Sequence, residues 1–101
     1  KILDESAIPV LMEYLKNDDD MWVRRSCAAA LGELRAVSAV PLLTLTVSQQ
    51  QDSLLCTYAA CALVQVGDTS VEVLDALKQM ELSRDGTISE TATWALNELN
   101  A

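Results

Sequence analysis

Histidine and phenylalanine are absent from this 101-residue chain, and there are only three glycines, two prolines and three cysteines. The absence of histidine removes the commonest general base, the Ser–His and Cys–His nucleophile systems and most zinc sites. Three glycines supply no phosphate-cradling loop. No apolar run approaches the roughly 18–20 residues of a membrane span. No basic-then-apolar leader with a small-residue cleavage site opens the chain. Cationic charge is also scarce: seven basic against fifteen acidic residues give a net charge of −8. That balance argues against nucleic acid, whose counterions must be displaced by Lys and Arg, and against an anionic membrane surface.

The cysteines form no framework. Cys56 and Cys61 lie five apart on one expected helix, about 140° around its axis, too divergent for a mutual disulfide. Cys27 falls where other segments carry alanine, so it reads as a small buried apolar group. Reduced thiols fit a cytoplasmic protein. Asp18-Asp19-Asp20 has neither the loop glycine nor the closing glutamate of a calcium hand and reads as a solvated turn with a helix cap. No cofactor or metal site is expected. The chain opens on Lys1, which points to a piece of a longer protein.

What the chain has in abundance is Ala, Leu and Val in a repeating order. Val23, Cys27, Ala30, Leu31 and Leu34 recur at one constant offset as Leu55, Ala59, Ala62, Leu63 and Val66. They recur again as Ile88, Ala92, Ala95, Leu96 and Leu99, with the second offset longer by a single position. A period of about 32 residues marks stacked helical hairpins. We therefore expect an all-α, right-handed α–α superhelix of three hairpins forming one domain over 1–101, with repeats at about 5–36, 37–68 and 69–101.

Each repeat divides into an A and a B helix. Ser6-Ala7-Ile8-Pro9 recurs as Ser38-Ala39-Val40-Pro41. Serine suits an N-cap, and proline is tolerated in a first turn. The A helices are expected at about 6–17, 38–49 and 70–80. The apolar stripes are Ile8, Leu11, Met12, Leu15, then Val40, Leu43, Val47, and then Val71, Val73, Leu74, Leu77. The B helices are expected at about 20–35, 52–66 and 86–99, with Asp20, Asp52 and Asp85 at their starts as caps and Gly67 closing the second. Alanines at 28–30, 59, 60, 62, 92 and 95 allow close helix approach.

The stretch Asp20-Met21-Trp22-Val23-Arg24-Arg25-Ser26-Cys27-Ala28-Ala29-Ala30-Leu31-Gly32 resembles HEAT repeats, and more narrowly the short HEAT-like repeats of phycobilisome lyases. The motif fades along the chain, where Val-Arg becomes Leu55-Cys56 and then Ile88-Ser89. The resemblance implies a protein-interaction scaffold whose B helices line a concave face. It also implies that Arg24 reaches acidic groups such as Asp18, Asp19 or Asp20. The enzymatic alternative that it raises is a subunit of a bilin lyase. The histidine–glutamate iron site of deoxyhypusine hydroxylase, another HEAT-like protein, is excluded by composition.

On a helical wheel, Arg25, Ala29 and Gly32 lie away from the B-helix core stripe, as do their equivalents Thr57, Cys61 and Val64, then Glu90, Trp94 and Asn97. The expected protein-binding set is Trp22, Arg25, Tyr58, Glu90 and Trp94, because aromatics and arginine dominate interface energetics. A competing arrangement packs Trp22 and Tyr58 into grooves between repeats and lays Trp94 over the C-terminal end. The partner is expected to be a protein or peptide, neither nucleic acid nor membrane. Self-association through the terminal repeats is a further expectation, since the first A helix has a wide apolar surface that stays open unless Ile2 and Leu3 fold back over it.

Overall fold

A computed structural model describes residues 4–100 as six α-helices: α1 (Ile8–Asn17), α2 (Met21–Glu33), α3 (Val40–Gln49), α4 (Ser53–Val66), α5 (Val71–Glu81) and α6 (Gly86–Asn100). Each odd helix packs on the even helix that follows it. The even helices form one layer, α2 on α4 and α4 on α6, and α3 packs on α5 in the other. These are three hairpins stacked side by side, as the period requires. The contacts of α1 are mainly with α2, and it barely meets α3. A groove of about 680 Å³ separates those two A helices, with Ile8, Met12, Pro41 and Leu45 among its lining residues. Three repeats are too few to elongate the body, whose radius of gyration is 12.4 Å.

The five repeating slots are where the core sits. Cys27, Ala59 and Ala92 are buried, as are Ala30, Ala62 and Ala95, then Leu31, Leu63 and Leu96. Leu34, Val66 and Leu99 close the stripe half-buried. Leu15, Leu43, Val47, Val73, Leu77 and Met80 fill it from the A side. One A-helix expectation needs correction: Val71 is exposed, and the buried stripe of α5 is Val73, Ala76, Leu77 and Met80. Those four match Val40, Leu43, Thr44 and Val47 of the preceding repeat at the longer of the two offsets, so the extra position is already in place by α5.

The B-helix caps are the expected aspartates. Asp20 accepts the Trp22 N–H at 2.9 Å, Asp52 the Leu55 N–H at 2.8 Å and Asp85 the Thr87 N–H at 2.9 Å. The serines behave differently. Ser6 and Ser38 lie inside short 3₁₀ turns, Glu5–Ala7 and Val37–Ala39, that precede α1 and α3. Asp4 accepts the Ser6 N–H at 2.9 Å, and α1 and α3 each begin at the residue just before their proline, later than their serines suggest. Ile2 and Leu3 lie outside the described residues. Val10 and Tyr14 on α1 are exposed.

Gly67 ends α4 with φ +80°, its N–H bonded to the Leu63 carbonyl. Arg35 holds the equivalent place in the preceding repeat, also left-handed, at φ 52°. A side chain makes that conformation costly, by about 1–2 kcal/mol before glycine's own entropy is set against it. Arg35→Gly is therefore expected to raise the unfolding free energy by up to about 1 kcal/mol in urea denaturation.

Candidate functional site

The open side of the even-helix layer is built from positions that repeat as regularly as the core. Trp22, Leu54 and Thr87 are equivalent; so are Ser26, Tyr58 and Thr91; so are Ala29, Cys61 and Trp94. On this face Trp22 is 69 % exposed, Leu54 45 %, Tyr58 37 % and Trp94 42 %. Neither Trp22 nor Tyr58 is buried in a groove between repeats. Glu90 is exposed on the same side of α6. Leu54 is a member of this face that the expected set lacks. Its signal is the repeat offset from Trp22, which applies to exposed positions as well as buried ones.

Arg25 is on this side but is committed to a neighbour. Its Nε donates to Asp52 Oδ2 at 2.8 Å and its Nη2 to Asp52 Oδ1 at 2.7 Å, the two-pronged geometry that suits guanidinium and carboxylate. The guanidinium also lies 5.6 Å from the centre of the Trp22 ring. One carboxylate thus caps α4 and holds α2. At the next junction, Asp85 caps α6 and accepts a hydrogen bond from the Ser53 hydroxyl at the start of α4. Each aspartate cap with a preceding repeat is tied to the previous B helix.

Arg24 binds elsewhere than the resemblance implies. Its Nε donates to the Leu15 carbonyl at 2.8 Å and its Nη1 to Gln51 Oε1 at 3.2 Å. It satisfies a carbonyl in the last turn of α1, where helix carbonyls lack partners, and it braces the loop before α4. Asp18 and Asp20 are used locally: Asp18 accepts the Asp20 N–H at 2.7 Å, ahead of the Asp20 cap. Among the described residues no group of His, Cys, Asp and Glu is placed to hold a metal.

Gly32 also differs from its place on the wheel. It is buried, and a Cβ there would lie 2.7 Å from Ala62 Cα. The flank of a B helix is open only where no later repeat covers it. Position 32 is covered by α4, Val64 is half-buried, and Asn97 on the last helix is exposed.

Electrostatics follow these contacts. The Arg25 hydrogen bond holds the Asp52 carboxyl below the usual carboxylate range, and Asp52 in turn raises Arg25. Hydrogen bonds from Ser70 lower Asp68, and one from Ser53 lowers Asp85. Burial pushes the Cys27, Cys56 and Cys61 thiols up, so all three are neutral, free thiols at neutral pH. The depressed aspartates favour the folded state when ionised. Their contribution is complete above the unfolded carboxylate value, about pH 4, and is lost as pH falls through the lower folded values. Melting temperature should hold steady from about pH 7 to 5 and drop below about pH 4, with a shallower drop in Asp52→Asn.

Comparison with known families agrees with this architecture. Residues 1–55, more than half of the chain, match HEAT repeats. The chain belongs to the HEAT-repeat family, whose domains are generally protein-binding modules. No curated protein matches it. No helix among the described residues is long and apolar enough to cross a membrane.

Proposed function

We propose that this chain is a non-catalytic protein-binding module, a scaffold or regulatory piece that docks its partner along the open face of α2, α4 and α6. One observation carries the reading: Trp22, Leu54, Tyr58 and Trp94 stay exposed on one face, at three neighbouring repeat slots of the B helices. The core slots of the same three helices, by contrast, bury Cys27, Ala59 and Ala92 and then Leu31, Leu63 and Leu96. Large exposed side chains aligned on one face mark an interaction surface. The free thiols support a reducing compartment, consistent with a cytoplasmic location.

The test is affinity capture with the wild type and a Trp22→Ser/Trp94→Ser double variant, followed by a binding titration with the purified partner. The variant should bind at least about tenfold more weakly. Because both indoles are exposed, its melting temperature should stay within about 3 °C of wild type. Equal affinity would remove the proposed face. The bilin lyase-type alternative rests on resemblance alone. A stoichiometric, red-shifted complex on mixing with bilin would favour it over a bare scaffold.

A further inference from the structure

The two junctions between B helices use equivalent positions but are filled differently. At the first, Arg25 crosses from α2, lies over Trp22 and grips Asp52 with two nitrogens. At the second, the residue equivalent to Arg25 is Thr57. Its hydroxyl donates to the Ser53 carbonyl at 2.9 Å and lies 3.4 Å from that of Thr91. In place of a long cationic side chain there is a shallow groove of about 270 Å³, lined by Thr57, Cys61, Glu90, Thr91 and Trp94.

The groove's walls are suited to what the first junction holds. Trp94 presents an indole that is 42 % exposed. Glu90 presents an exposed carboxylate, and no ion-pair partner for it is found among the described residues. Cys61 adds a half-buried, apolar side. Both arginines of α2 already have partners, so the protein has no spare cation beside this groove on that helix. The surrounding charge, −8 over the chain, favours a cationic visitor.

We propose that the α4–α6 groove receives an arginine side chain from the bound partner, stacked on Trp94 and paired with Glu90. The inference rests on the B-helix face being the docking surface and adds the partner's chemistry: a peptide segment presenting arginine beside apolar residues. A flat guanidinium can stack on an indole and offer its fork to a carboxylate at once, which a lysine ammonium cannot reproduce.

The experiment is a nuclear magnetic resonance titration of the ¹⁵N-labelled chain. The probe is an acetylated, amidated leucine-arginine-leucine tripeptide, with citrulline and lysine versions beside it. The arginine peptide should move the Trp94 indole N–H and the Cys61 and Thr91 amides. Its apparent affinity should exceed that of the neutral citrulline peptide by about fivefold. Glu90→Gln should erase that preference. Thr57→Arg, which supplies the groove with an internal guanidinium, should abolish the shifts at Trp94 while the melting transition persists.

Several results would overturn the proposal. They are equal responses to arginine and citrulline, a lysine peptide as strong as the arginine one, no shift at Trp94 up to about 5 mM, or unchanged binding in a folded Thr57→Arg protein. Shifts at the Trp22 indole and Tyr58 without any at Trp94 would remove the arginine groove and leave the wider docking face standing.

Discussion

Leu63→Ala is expected to lower the unfolding free energy by about 2–5 kcal/mol, the range for emptying a fully buried leucine site. Leu63 has no exposed surface and sits on α4, the helix that packs against α2, α3 and α6 together. Three packed neighbours leave little room for collapse around the cavity. For a domain of this size the loss corresponds to roughly 10 °C or more in melting temperature. Leu96 occupies the same slot on the terminal helix and is 8 % exposed. Leu96→Ala should cost less, because one side of its surroundings is solvent. Paired urea and thermal denaturation of the two variants measures the difference. Equal losses, or none at Leu63, would contradict the stacking of α4 between its neighbours.

Gly32→Val is expected to be the other large effect, with opposite geometry. A Cβ at Gly32 would run into Gln65 Oε1 and stand 2.7 Å from Ala62 Cα and 2.9 Å from Ala62 Cβ. Gln65 can swing aside, since only its side-chain end is involved. The Ala62 backbone cannot move unless α2 and α4 separate. Overpacking of this kind costs about 1–3 kcal/mol, and the branched valine belongs at the upper end. Separation would also loosen the Arg25–Asp52 clasp, which spans the same two helices. Gly86 is the internal control. Nothing lies within 4 Å of a Cβ there, so Gly86→Ala should be neutral or slightly stabilising. A Gly32→Val protein that melts like wild type would mean that the helices are not held this close.

The repeat period and the aspartate caps were legible because each depends on residues close together in sequence. An aspartate just before a helix bonds amides two or three residues away, and the pattern survives three copies. Gly67 was legible for the same reason. Ser6 and Ser38 misled because Ser-Ala-x-Pro suits a 3₁₀ turn as well as a capped first turn. Trp94 followed from helix periodicity and Trp22 and Tyr58 from their residue type, whereas Leu54 required the repeat offset to be carried to the outer face. Gly32 and Arg25 needed more than one helix. Whether a flank is open or covered depends on the side from which the next repeat arrives. The carboxylate that binds Arg25 belongs to the following repeat, far along the chain. Likewise Arg24 found a backbone carbonyl, a partner that no side-chain pattern advertises.

The loose seam between α1 and α3 has a kinetic meaning. Every later helix is gripped from at least two sides, while α1 leans chiefly on α2. Solvent deuterons should therefore replace the amide protons of Ile8–Asn17 well before those of α4, through openings that leave the other five helices in place. The stack should come apart from its first rung and keep its central rung longest.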